Sequence, residues 1–233
     1  MADILSDGLH WLCGHDPDIN KLITPRHEKI CQLLTVYIDE IERCNPALSL
    51  VGTSDRHDLI TRHILDSLAP LGILIRALPG QTTLGRQPHI ADVGSGAGLP
   101  GIPLAITLPD IQFTLIERKG RRAGFLRNIQ TTLGLSNVSV EEEEMEKVQK
   151  SRFALVVFRA FRPLEPKIYK KLLRLCDSGG ALAAYKGRHH KIEAELAMLE
   201  QAMPNLAMRR EVIPCTVPGL DEERHLLLLG NRE

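Results

Sequence analysis

Apolar and polar positions along the chain change period at a polar loop, Gly80 to Pro88. Upstream the period is helical. Thr24-Pro25 pairs an N-cap residue with a proline suited to a first turn, which predicts a helix start. Ile30, Leu33, Leu34, Tyr37, Ile38 and Ile41 follow at helical spacing, a long amphipathic face that Asn45-Pro46 should stop. Ser54 is placed to cap a second helix with Leu59, Ile60, His63, Ile64 and Leu68 on one side. Residues 1–20 show no clear period, and Trp11 is expected to pack onto the body. Residues 1–85 therefore read as a helical N-terminal extension.

From His89 onward short apolar runs alternate with helical stretches, the order of a parallel α/β sheet. Strands are predicted over 89–93, 112–117, 138–140, 153–158 and 181–185, with helices over 100–108, 120–134, 167–176 and 191–203. Residues 211–217 and 224–229 read as a hairpin across Pro218-Gly219-Leu220. Seven strands closing on an antiparallel pair suit the Rossmann-like sheet of a class I methyltransferase, here residues 86–233.

The chemistry concentrates in His89 to Arg118. Ile90, Ala91 and Val93 are strand-like, Asp92 sits at the strand's exit, and Gly94, Gly96, Gly98 and Gly101 follow within eight residues. Glycines permit positive φ and close approach of a ligand to the main chain. Pro100 suits the first turn of the next helix. The following strand ends on Glu117. Strand, glycine loop, helix, strand and acid together make a nucleoside site, the acid taking ribose hydroxyls.

GAGLPG at 96–101 matches the dinucleotide fingerprint G-x-G-x-x-G, but the register opposes it. A carboxylate at the strand tip, Asp92, would face a diphosphate badly. It suits S-adenosylmethionine, which carries an ammonium, a sulfonium and a ribose diol and no phosphate. A nicotinamide-dependent dehydrogenase is the alternative from another class. A small-molecule or protein methyltransferase, and a non-catalytic RNA-binding module on a cofactor fold, complete the alternatives.

Composition narrows the setting. The 233 residues suffice for one large core, or a core and a small extra domain. Twenty-nine bases against 29 acids give zero formal charge, so nucleic-acid binding would depend on where the bases lie. Arg118, Lys119, Arg121, Arg122 and Arg127 cluster after the second strand, and Lys186, Arg188, His189, His190 and Lys191 after the fifth. Both clusters fall at the ligand edge and are candidates for phosphate contact. Lys167, Lys170, Lys171 and Arg174 read as an exposed helix face. Five scattered cysteines lack metal or disulfide spacing, so no metal is expected, and they fit a reducing cytoplasm. The first residues lack the basic-then-apolar pattern of a signal peptide. The longest apolar run, Leu68 to Leu78, is broken by Pro70 and Arg76.

The target atom of a methyl transfer dictates which residues it needs. Cytosine C5 methylation needs a thiolate, commonly in a Pro-Cys pair after the fourth strand. Pro214-Cys215 occurs in the terminal hairpin instead, and Arg159-Ala160-Phe161-Arg162-Pro163 follows the fourth strand. The Asn/Asp-Pro-Pro-aromatic signature of adenine amino-group methylation is also absent. Guanine N7 offers a lone pair and carries no proton, so positioning alone would serve. Phe158 and Phe161 flank the site and could stack a base, with core packing the alternative for Phe158.

Five segments in order carry a resemblance: RHILDS at 62–67, DVGSGAGLPGIPLA at 92–105, FRAF at 158–161, YKG at 185–187 and ERHLLLL at 223–229. From about Pro25 to the C-terminus the chain resembles the RsmG (GidB) family of bacterial small-subunit rRNA guanine-N7 methyltransferases. The resemblance implies a helical segment on an S-adenosylmethionine-binding α/β domain. It also implies methylation of a guanine N7 of 16S rRNA near the decoding centre, on rRNA or on the 30S subunit. By its pattern Gly94, Leu99, Met145, Glu146 and Arg159 join Asp92, Gly96, Gly98 and Glu117 around the cofactor. Arg62, His63, Arg121, Arg122, Phe161 and Lys186 are the expected substrate-side residues. An Arg62–Asp66 pair within one helix, and a core histidine at 63, are the plainer expectations there. The chain departs from the family pattern at Ser49-Leu50-Val51, where the family usually has Asn-Leu-Thr, and at Glu117, where it often has Asp.

Overall fold

A computed structural model describes residues 3–78, 87–160, 163–204 and 208–231. The expected division between residues 85 and 86, and Phe161, lie outside the described residues.

The apolar runs from His89 onward assemble into one seven-stranded sheet of order β3-β2-β1-β4-β5-β7-β6. The strands are β1 His89–Val93, β2 Gln112–Ile116, β3 Val138–Glu141, β4 Phe153–Arg159, β5 Cys176–Lys186, β6 Met208–Pro214 and β7 His225–Asn231. The first five pair in parallel, and β7 runs antiparallel to both β5 and β6. β1 lies between β2 and β4, so the chain reverses its direction of winding beside β1. In open α/β sheets the crevice at the carboxyl edge of that reversal is the ligand site. β5 starts five residues earlier than the apolar pattern predicted, because its register with β4 slips between Phe153 and Leu155 and admits Asp177 to Gly180.

Helices α1 Ile4–His15, α2 Pro17–Ile23 and α3 His27–Leu48 precede the sheet. Residues 1–20 prove periodic after all. Leu5, Leu9 and Leu12 line one face of α1, and the Asp16 carboxylate caps α2 by accepting from the Asp18 and Ile19 amides at 2.8 and 3.3 Å. Trp11 packs against the core edge as expected. Thr24-Pro25 opens a single 3-10 turn, Thr24–Arg26, ahead of α3. Pro46 does not stop α3, which closes three residues later at Ser49, a left-handed residue with φ 49°. The stop belongs to Asn45: its Oδ1 accepts from the Leu50 and Val51 amides at 2.8 and 3.0 Å, and its Nδ2 donates to Thr53 O at 2.9 Å. Pro46 falls in the last turn, where few helical bonds remain for it to interrupt, and Asn45 shapes the exit.

Asp55, not Ser54, caps the next helix, accepting from the Asp58 amide at 2.8 Å. That helix runs as α4 Arg56–Leu59, a widened π-helical stretch Ile60–Leu65 and α5 Asp66–Leu68. Then come α6 Leu71–Ala77 before the sheet, and α7 Gly101–Thr107, α8 Gly120–Thr132, α9 Pro166–Leu173 and α10 His189–Ala202 within it. One apolar cluster contains Leu9, Leu34 and Ile41 of the N-terminal helices together with Ile90, Leu115 and Leu126, so the helices and that face of the sheet share a core. Among the described residues no helix is long and apolar enough to cross a membrane.

Candidate functional site

The loop after β1 is held from three sides. Beneath it Asp92 is fully buried, its Oδ2 accepting from Ser95 Oγ at 2.7 Å and from the Gly101 amide at 2.9 Å. Burial pushes this carboxyl up to about 6, and its Oδ1 has no partner. Beside the loop Glu117 Oε2 accepts from the Gly96 amide at 3.0 Å while Oε1 accepts from the Lys119 amide at 2.8 Å. Behind it the buried Tyr37 of α3 donates its hydroxyl to Ala97 O at 2.8 Å.

The glycines divide by what surrounds them. A Cβ at Gly96, where φ is +60°, would meet no heavy atom closer than 3.8 Å, so open space faces this residue. At Gly98 it would lie 2.6 Å from Ile102 and 3.2 Å from the Tyr37 hydroxyl. Gly98 therefore serves the packing of the loop onto α3 and α7, whereas Gly96 has open space beside it. The Leu99–Pro100 peptide is cis, and Leu99 is buried in the apolar core.

A cleft of about 280 Å³ opens at the carboxyl edge of β1, β2 and β4. Gly94, Glu117, Met145 and Glu146 line it as expected, together with Arg118, Lys119, Arg122, Glu143, Glu144 and Ala160. Asp92, Gly96, Gly98, Leu99 and Arg159 do not; Asp92 and Leu99 support the loop from within, and Arg159 turns away to the N-terminal helices. The Met145–Glu146 turn is itself anchored: Arg174 Nη2 donates to both carbonyls at 2.7 and 3.1 Å, and Lys171 Nζ lies 2.6 Å from Glu146 Oε1. The end of α9 is thus a brace for the cleft wall rather than merely an exposed cationic face, because it bonds two carbonyls of that wall.

Arg159 ends β4, and Ala160 after it is left-handed, φ 47°. The Arg159 side chain turns to the N-terminal helices. Nη1 lies 2.8 Å from Asp66 Oδ2 and Nη2 lies 3.1 Å from His63 Nδ1. Asp66 Oδ1 is taken by Arg224 Nε at 3.0 Å. Arg62 does not pair with Asp66: it pairs with Asp58 at 3.0 Å and Glu222 at 2.6 Å. The widened turn between them points Asp66 inward and leaves Arg62 outward. His63 is half-buried, and burial together with the Arg159 charge lowers it to about 4. Phe158 is 2% exposed, which gives it to the core.

The other substrate-side candidates are engaged within the chain. Arg121 Nη2 donates to Ala47 O at 3.1 Å and Arg122 Nη2 to Ser49 O at 2.6 Å, so both cap the end of α3. Lys186 Nζ lies 2.6 Å from Glu195 Oε2. The Cys215 thiol is pushed up to about 12 by burial, which leaves no thiolate for covalent chemistry. Tyr37, Asp66 and Arg174 are residues around the site that periodicity did not reveal, and Arg224 is the second partner of Asp66, outside the cleft lining. A carboxylate at position 66, three residues after His63 on an apolar stripe, was the one available signal.

A family described as rRNA small subunit methyltransferase G matches residues 30–227. The chain belongs to the GidB family. Family members bearing the name Ribosomal RNA small subunit methyltransferase G include one from Treponema denticola, 33% identical over 97% of this chain and 95% of that protein. Another, from Laribacter hongkongensis, is 38% identical over 86% of this chain and 88% of its own length. Among solved structures a SAM-dependent methyltransferase from Aquifex aeolicus superposes with a TM-score of 0.51 at 17% identity, covering 70% of this chain and 92% of that one. At that identity the likeness concerns the fold, and it agrees with the class I methyltransferase sheet of this GidB protein.

Proposed function

We propose that this GidB-family protein transfers a methyl group from S-adenosylmethionine to N7 of a guanine in small-subunit rRNA. The observation that carries the reading is the cleft itself. A glycine loop with open space at Gly96 is clasped by a carboxylate, Glu117, at the point where the sheet reverses.

The residues present fit the cofactor. Glu117 retains lone pairs for ribose hydroxyls. Met145 supplies a polarizable thioether of the kind that packs on an aromatic ring. The cleft sets Glu117, Glu143, Glu144 and Glu146 against Arg118, Lys119 and Arg122, and its carboxylates suit the ammonium and sulfonium of a cationic ligand. When bound, S-adenosylmethionine supplies an electrophilic methyl group on a sulfonium. The chain's part is to hold it and to orient the acceptor. Guanine N7 brings its own lone pair, and among the described residues the site accordingly offers no thiolate and no paired general base. Asp92 and Gly98 keep the loop in shape. Arg118 and Lys119 at the cleft mouth, with Arg62, His63, Arg121, Arg122 and Lys186 around it, form the RNA side of this proposal. We assign residues 1–85 to a helical extension that braces the cofactor loop through Tyr37, and the activity to the cytoplasm, where ribosomal subunits are assembled.

The test uses small subunits, and protein-free rRNA, from cells lacking this protein. Incorporation of labelled methyl groups is followed by chemical cleavage specific for N7-methylguanine. One cleaved guanine supports the proposal and shows which substrate is used. Incorporation without cleavage moves the target to another atom, and NAD binding in place of S-adenosylmethionine refutes the cofactor assignment.

A further inference from the structure

The Asp66 carboxylate is 6% exposed. A buried carboxylate is costly unless its oxygens are paired, and here each oxygen has its own arginine, from a different part of the chain. Arg224 precedes β7 and Arg159 ends β4. Arg159 directs its remaining contacts to the same π-helical turn: Nη1 lies 3.3 Å from Arg62 O, and Nη2 lies 3.1 Å from His63 Nδ1.

That last contact fixes a proton. A guanidinium carries only N–H donors and does not lose its charge in a protein. His63 Nδ1 must therefore be the acceptor, and the single ring proton of the neutral imidazole sits on Nε2. Such a ring cannot serve as a general base, since one nitrogen has its lone pair engaged and the other already bears hydrogen. It can offer a hydrogen bond from Nε2 in a set direction. Arg159 can hold this arrangement only while its own orientation is held, and among the described residues Asp66 is the one carboxylate bonded to it. The contacts give the sequence Asp66, Arg159, His63.

We propose that Asp66 is a positioning residue for methyl transfer: acting through Arg159, it holds His63 as a fixed Nε2–H donor beside the strand end that walls the cofactor cleft. This rests on the reading of the cleft beside Ala160 as the cofactor site. It also gives a reason for an imidazole near a reaction that removes no proton. The ring is kept as a donor, for orientation, and is prevented from competing for a proton.

The test measures the ¹⁵N resonances of the His63 ring, assigned with His63→Gln, alongside single-turnover methylation of small subunits at saturating cofactor. Wild type should show the Nε2–H tautomer alone. Asp66→Asn should show mixed tautomers and a rate lower by roughly tenfold to a hundredfold, with S-adenosylhomocysteine affinity changed only a few-fold. Asp66→Glu should recover part of both. Arg224→Gln removes the other partner of Asp66 and should keep the wild-type ring spectrum and rate. If Asp66→Asn does not fold, Arg159→Lys keeps the ion pair while removing the donor to Nδ1, and should mix the tautomers. A single tautomer or a wild-type rate in Asp66→Asn overturns the proposal. So does an Arg224→Gln protein as impaired as Asp66→Asn, since Asp66 would then only tie segments together. A wild type that methylates no rRNA overturns the reading of function instead, and the ring spectrum still decides the lock.

Discussion

Replacing Asp92 with Asn isolates what a buried charge under the cofactor loop does to this fold. The carboxyl is fully buried, two donors reach only its Oδ2, and burial raises it from 3.8 to about 6. Folding therefore holds this proton more tightly than the unfolded chain does. Below pH 3.8 both states carry it and no penalty arises; the penalty grows between pH 3.8 and about 6, and above that it is complete. At about 1.4 kcal/mol per pH unit it comes to about 3 kcal/mol at neutral pH. Asn keeps an acceptor oxygen for Ser95 and Gly101 but adds an amide with no partner, costing about 1–2 kcal/mol at every pH. Asp92→Asn should thus be less stable than wild type near pH 4 and equal or more stable at pH 7. Urea unfolding by circular dichroism at pH 4, 5, 6 and 7 measures the difference. A stability gap that stays constant within about 0.5 kcal/mol across that range would refute the reasoning, because no proton would then be linked to folding at this site.

Gly96→Val should abolish S-adenosylhomocysteine binding in calorimetry while the protein stays folded, since φ is +60°, which a β-branched residue resists, and the loop it shapes carries Gly94 of the cleft wall. Undiminished affinity would remove Gly96 from the site. The Arg121→Ala, Arg122→Ala double variant should bind rRNA more weakly and with a flatter salt dependence. It should also lose about 1–2 kcal/mol of stability, because both side chains bond carbonyls at the end of α3; an unchanged salt slope with reduced stability would leave them only the capping role. Single-turnover methylation should be nearly flat over roughly pH 6 to 9, as His63 titrates near 4 and the Cys215 thiol near 12. Cys215→Ser should methylate normally, and a bell-shaped profile or a dead, folded Cys215→Ser protein would point to a different target atom.

The sheet was legible because most of the parallel strands carry a short apolar run, as in β1, β4 and the second half of β5, and the period changes at every helix. Helices α7 to α10 fall within a few residues of their predicted bounds. The N-terminal helices were less legible at their ends. Asn45 sets the end of α3 by bonding amides five and six residues ahead, and such a bond has no periodic trace. The glycine loop declared its ligand class through composition, since four glycines and two acids at strand ends are local facts.

What the linear pattern could not do was divide the loop residues by role. Asp92 and Glu117 are both acids at strand ends, yet one is sealed beneath the loop and the other lines the cleft. Gly96 and Gly98 both have positive φ, yet only Gly96 has open space beside it. Those differences arise from what α3, α7 and α8 bring up against each residue, over separations of up to 60 positions, as between Tyr37 and Ala97. The basic clusters show the same limit: sequence counts the charges, while the carbonyls of Ala47 and Ser49 and the carboxylate of Glu195 decide where they are bound. The Asp66–Arg159–His63 chain joins residues 93 and 96 positions apart. Local pattern fixes which elements form because propensity and periodicity act over a few residues. Which side chains meet at the site depends on how those elements pack, and that exists only in the folded chain.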